Sequence, residues 1–250
     1  MTSPNAVAAY ALALGDDALI LGQRLLEWIT NAPELEEEVA LANISLDLLG
    51  QARALLTYAG SFDGRDEDAL AYRRAPEQFR CVHLVERPNG DFGATVARQL
   101  LFSAYQYELY AALTRSSDPT LAGVAGKAVK EVAYHRDHAT MWTLRLGDGT
   151  GESHRRMQAG LEAMWSFAEE LFAPDSATAG LVGLGAAVDA SSLRPAWSKY
   201  VEAVLSEATL TVPQVESAPG GGRAGVRTPE FAALIEEMTS LHRAHPGATW

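Results

Sequence analysis

A carboxylate and an imidazole three or four positions apart on a helix share one face, so they can grip one metal ion or hydrogen bond to the same neighbour. Glu131, His135 and His138 follow such a four-then-three step. Asp47 and Gln51, one turn apart among Leu46, Leu48 and Leu49, make a second polar patch. Read as chemistry, Glu131, His135 and His138 with a carboxylate such as Asp47 would form an atypical single-metal site. Read as packing, His135 lies between Val132 and Ala139 on an apolar stripe reaching Trp142, and is a core histidine with Glu131 and His138 at the stripe's margin. Buried polar groups need partners on either reading. The sequence leaves both open.

A di-iron or di-manganese centre in a helical bundle asks for more: Glu-x-x-His from each of two helices and a lone Glu from each of two others. The residues three before His83, His135, His138, His154, His242 and His245 are Arg80, Val132, His135, Gly151, Thr239 and His242. None is acidic, so no metal pair and no resident cofactor are expected. P-loop, nucleophile-elbow, His-Glu-x-x-His and Cys-x-x-Cys patterns are also absent. Gly183-Leu184-Gly185 lacks the third glycine of a dinucleotide motif and reads as a loop. Arg73, Arg74 and Arg80 would either meet an anionic ligand or acidic partner, or sit solvated on a connection. Cys81, with no basic surroundings evident and no second thiol, reads as inert. Phe102, Tyr105, Tyr107 and Tyr110 read as core and interface packing.

The elements that must position these residues are helical. The chain has 250 residues, 48% apolar, with 20 basic and 32 acidic side chains for a net charge of −12. That balance repels phosphate backbones and anionic lipid, so no nucleic acid or membrane partner is expected. The uncharged runs 2–15 and 176–188 are shorter than a bilayer span. No export signal is read in the apolar run at 6–14, and the cytoplasm is the expected compartment. Leu35, Val39, Leu46, Leu49 and Leu56 recur at three- and four-residue steps, predicting one long amphipathic helix over 34–59, with Glu34, Glu36, Glu37 and Glu38 favoured by the dipole at its start. A helix over 7–30, bent or broken near Gly15–Asp17, precedes it.

Segment 61–91 reads as a long, partly helical connection. Helices over 92–115 and 119–147 follow, with Asp118-Pro119 capping the second and the short link making them antiparallel neighbours. Two closely linked pairs joined by one crossover describe a ferritin-like four-helix bundle. Further C-terminal helices are predicted over 153–172, 195–208 and 229–243, the last capped by Thr228, with a Gly-rich loop or tether at 217–227. The whole is an all-α, single-domain chain over 1–250.

The stretch Ala42-Asn-Ile-Ser-Leu-Asp-Leu-Leu-Gly-Gln-Ala-Arg53, preceded by Trp28 and Ala32-Pro-Glu-Leu35, resembles the C subunits of the bacterial phenylacetyl-CoA epoxidases, which are multicomponent monooxygenases. Arg115-Ser-Ser-Asp-Pro119, Lys127-Ala-Val-Lys-Glu-Val-Ala-Tyr-His135, Glu207-Ala-Thr-Leu-Thr-Val-Pro213 and Pro246-Gly-Ala-Thr-Trp250 extend the resemblance nearly end to end. It implies a ferritin-like fold and a heteromer with a homologous catalytic A subunit that carries the di-iron centre, with the C subunit supporting structure. The resemblance places the catalytic subunit's two Glu-x-x-His motifs on Leu48 to Gln51 and Val132 to His135, so three of four ligand positions are lost. Glu27 and Glu108 are the nearest candidates for the single carboxylates. The implied function is a non-catalytic structural subunit in aerobic phenylacetate degradation. An oxygenase or oxidase built on Glu131, His135, His138 and Asp47 is the alternative, and a homodimer is conceivable for the isolated chain.

Overall fold

The computed structural model describes residues 4–175 and 178–248. Thr249 and Trp250 of the closing motif, and residues 2, 3, 176 and 177 of the uncharged runs, lie outside them. Among the described residues ten α-helices follow one another: α1 Pro4–Leu26, α2 Leu35–Gly60, α3 Glu67–Tyr72, α4 His83–Glu86, α5 Phe92–Leu113, α6 Pro119–Gly147, α7 Gly151–Trp165, α8 Ala179–Gly183, α9 Arg194–Glu207 and α10 Pro229–Ala244. No strand occurs among the described residues. The long pairs α1–α2 and α5–α6 form the bundle, and α7 and α9 pack against the second pair. The connection 61–91 carries α3, a 3-10 turn and α4, as the sequence predicts.

Asp118 caps α6 by accepting from the backbone N–H groups of Thr120 and Leu121. The same carboxylate accepts a 2.6 Å bond from the Tyr58 hydroxyl of α2, so this cap also ties the two helix pairs together. The cap expected from Thr228 is different: its side chain makes no cap bond, and its backbone N–H donates to Glu86 Oε1 at 3.1 Å. The helix predicted over 153–172 stops as an α-helix at Trp165 and resumes as a 3-10 turn over Glu169–Phe172.

Two helices differ from the sequence reading in ways that matter. The first runs unbroken through Gly15, Asp16 and Asp17. Gly15 lets α1 close on α2, since a Cβ there would lie 3.0–3.3 Å from Leu56 and Leu55. Neither aspartate caps a new helix, because both point into the protein and find partners there. In α2 the buried face is Leu41, Ile44, Leu48, Ala52, Leu55, Leu56 and Ala59, while Leu35, Val39 and Leu46 are exposed at 72%, 54% and 61%. Three of the five residues whose spacing predicts this helix therefore lie on its outer side.

By length and composition α1, over Asn5–Leu26, and α2 are apolar enough to cross a membrane, which the count of uncharged residues did not register. Most of α1 is nevertheless buried within the bundle, and its charges Asp16, Asp17 and Arg24 are paired inside the protein. Those are the properties of a core helix.

Candidate functional site between α2 and α6

The two helices run antiparallel, so low numbers on one meet high numbers on the other. His138 Nε2 lies 2.8 Å from Glu37 Oε2, and His135 Nε2 lies 3.1 Å from Asp47 Oδ2. One turn further on, Gln51 Nε2 donates to Glu131 Oε2 at 3.0 Å while its Oε1 accepts from Gln106 of α5 at 3.2 Å. Lys127 Nζ stands 3.4 Å from the other Glu131 oxygen. Burial holds the His135 imidazole below the ordinary histidine range, and the bond to Asp47 opposes that shift without cancelling it.

Glu131, His135, His138 and Asp47 are therefore distributed over three separate contacts rather than gathered around one point. His138 is buried rather than marginal, because Glu37 reaches in to meet it. Among the described residues no group of three or more His, Cys, Asp or Glu side chains is disposed to hold a metal ion.

Leu48, Gln51, Val132 and His135 all face inward, at 0%, 4%, 0% and 1% exposure. Two aliphatic chains, a primary amide and an imidazole do not fit a di-metal centre, which needs anionic oxygen donors. The amide and imidazole already bond to Glu131, Gln106 and Asp47. Of the candidate single carboxylates, Glu27 is held by Arg24 at 2.8 Å and Asn89 at 2.9 Å. Glu108 is half-buried on α5.

The chain matches the model of a family described as phenylacetic acid catabolic protein over residues 2–250. It belongs to that family. It is 46% identical over 247 residues to the C subunit of the 1,2-phenylacetyl-CoA epoxidase of Escherichia coli (strain K12), covering 98% of this chain and 100% of the relative. The all-helical bundle agrees with the ferritin-like fold that the sequence pattern implied.

In this member of the phenylacetic acid catabolic family a second polar assembly, which the sequence reading missed, surrounds Asp16 and Asp17. Asp16 pairs with the Arg74 guanidinium and accepts from the Arg80 backbone at 2.7 Å. Asp17 takes two bonds from Arg223, at 3.0 and 2.6 Å, and one from the Val82 backbone at 2.9 Å. Glu86 meets Arg227 at 3.1 Å. Glu170 accepts from the backbones of His83, Gly221 and Gly222 at 2.7–2.8 Å. The expected tether at 217–227 is thus a strap locked onto α1 and the crossover. Gly222 is required there, because any Cβ would collide with the Cys81 carbonyl oxygen.

This arrangement revises two expectations. Arg74 is buried in an ion pair, and the Arg80 guanidinium bonds to the carbonyls of Glu77 and Phe79. The arginines of 73–80 therefore form no common anion site. Cys81 does have a cation beside it, with Arg227 Nη1 2.9 Å from Sγ. Burial outweighs that cation and pushes the thiol well above its ordinary range, which leaves it a poor nucleophile. Phe102, Tyr105 and Tyr110 are buried in the core, and Tyr107 is covered by the Arg136 guanidinium 3.7 Å from its ring centre.

Proposed function

We propose that this chain is a non-catalytic subunit of a phenylacetyl-CoA 1,2-epoxidase complex in the cytoplasm, and that it stabilises a homologous catalytic A subunit that holds the di-iron centre. The observation that carries this reading is the set Leu48, Gln51, Val132 and His135, which occupies inward positions with side chains unsuited to a metal pair. The curated relative, named as the C subunit of such an epoxidase, supports it across the whole chain.

Physically, a bundle without a reaction centre serves by its rigidity. A catalytic centre needs its ligands held to within about 0.5 Å by the structure around them, and a packed neighbour can supply that support from outside. The net charge of −12 argues that polyanionic coenzyme A is gripped elsewhere in the complex.

The test is iron and manganese content by elemental analysis, on the chain purified alone and on the chain co-expressed with its catalytic subunit. The expected result is far less than one metal per chain alone and stoichiometric metal in the complex. One or two tightly held metals in the isolated chain, lost on His135→Ala and Glu131→Ala, would overturn the reading. So would a catalytic subunit that is monomeric and fully active without this chain.

A further inference from the structure

Helix α2 carries two apolar seams. The inner one, through Leu41, Ile44, Leu48, Ala52, Leu55 and Ala59, is buried in the bundle. The outer one runs Leu35, Val39, Ala42, Leu46, Leu49, a strict four-three alternation that leads on to Arg53. That spacing is the knob pattern by which one helix packs along another. None of the described residues buries its prominent members: Leu35 and Leu46 are the two most exposed large apolar side chains among the described residues, and Val39 is more than half exposed. Gly50, one turn beyond Leu46, has nothing within 4 Å of where a Cβ would stand. A glycine inside a helix is less stable than an alanine, and no contact among the described residues requires one here.

The charge around the seam selects its occupant. Glu34, Glu36 and Glu38 surround its first turns with no ion-pair partner among the described residues, whereas Glu37 is taken by His138. Some negative charge there is favoured by the helix dipole, but three unpaired carboxylates around an apolar ridge also demand cations from whatever covers it. Arg53, at the far end, is already paired with Glu67 at 3.2 Å. The α2 helix of a second copy of this chain, itself at −12, would bring the same glutamates and, as its one cation, an Arg53 already paired with Glu67.

We infer that the outer seam of α2 is the docking ridge for an amphipathic helix of the catalytic subunit, which sets apolar side chains at three- and four-residue steps against Leu35, Val39, Ala42, Leu46 and Leu49 and lysine or arginine side chains against Glu34, Glu36 and Glu38. This rests on the proposed function and adds to it the surface and the chemistry of the contact.

The experiment is co-expression of the full-length chain with its affinity-tagged catalytic subunit, followed by pull-down and size-exclusion chromatography. The variants are Val39→Glu with Leu46→Glu, Gly50→Gln, and Leu241→Glu as a control at an exposed apolar position on α10. The expected result is at least a tenfold loss of co-purified chain for the double variant and for Gly50→Gln, with Leu241→Glu unaffected. The melting temperature of the free double variant stays within a degree of the parent, and that of Gly50→Gln does not fall, so misfolding is not the cause. Raised salt should weaken the parent complex, as paired glutamates require. Equal recovery of parent and seam variants would overturn this surface while leaving the proposed function standing. Failure of the parent itself to co-purify would overturn the proposed function and this inference with it. A homodimer of the isolated chain that the seam variants dissolve, with the catalytic complex intact, would assign the ridge to a second copy instead.

Discussion

The α2–α6 contacts and the strap around α1 both place carboxylates against cationic or potentially cationic side chains, yet they are built for different ends. Between α2 and α6 the partners are imidazoles and amides, joined across two neighbouring helices, with Asp47 and Glu131 partly in solvent. Around α1 the partners are guanidiniums, the aspartates are buried, and the bonds span 58 and 206 residues of chain. Where Asp47 and Glu131 reach solvent, water can replace a lost partner. In the second region it cannot, because removing one partner of a buried pair leaves a charge with nothing to replace it.

The largest effect should therefore come from the strap. Arg223→Met leaves Asp17 uncompensated and should lower stability by about 3–5 kcal/mol, the usual cost of breaking a buried pair. Urea denaturation measures it, and limited proteolysis should cut the strap before the bundle unfolds. Asp17→Asn added to Arg223→Met should recover much of the loss. If the single variant is as stable as the parent, the two regions are equivalent and the contrast fails.

Next in size is the conversion of the α2–α6 region into a ligand set. Leu48→Glu, Gln51→His and Val132→Glu together place two carboxylates in the core, a penalty of several kcal/mol while they are unpaired. The melting temperature should fall sharply in chelator and rise again with Fe(II), since the positions face inward. A variant that stays unfolded in excess iron would refute that orientation.

A smaller effect separates the regions by pH. The folded-state pKa of His135 is depressed, so between that value and the ordinary histidine value of about 6.5 the unfolded chain binds more protons. Its contribution is complete above about 6.5 and is lost as pH falls through this window. Asp17 and Glu86 have raised values, chiefly because they are buried, with their arginine partners opposing the shift. Their contribution is present below the ordinary carboxylate range and is lost as pH rises through the raised values, the opposite sign. Stability measured from pH 7.5 to 5.5 should decline in the parent and decline less in His135→Gln. Identical slopes would remove His135 as the cause.

The smallest expected change is Tyr58→Phe, which deletes the 2.6 Å bond to the Asp118 cap. About 0.5–1.5 kcal/mol should be lost, the net worth of an ordinary hydrogen bond, because this contact is only partly buried. Calorimetry of this variant shows how much the two helix pairs rely on the joint at the Asp118 cap.

These regions also mark how far the sequence could be read. The Asp118-Pro119 start of α6 was legible because its signal is local: a cap and a proline side by side. The inward placement of Leu48, Gln51, Val132 and His135 was legible through resemblance and through the shared face of residues three apart. The pairing of Asp47 with His135, and of Gln51 with Glu131, was not, since no spacing on α2 says which residue of α6 stands opposite. The break expected at Gly15–Asp17 failed for a related reason. Two adjacent aspartates look like the end of a helix until Arg74 and Arg223 supply counter-charges from distant segments. In α2 two apolar seams carry similar spacing, and only the packed bundle decides which of them faces inward.

The strap also orders events during synthesis. Asp17 leaves the ribosome long before Arg223, the side chain that neutralises it, and Glu86 waits similarly for Arg227. A nascent or truncated polypeptide that ends short of these arginines holds acids in its first helix and crossover that it has no means to bury. Such a fragment should be more open to proteolysis at α1 and the crossover than the full chain, because the charges there lack their partners. The last quarter of the chain thereby supplies the counter-charge that the first helix needs in order to bury Asp17.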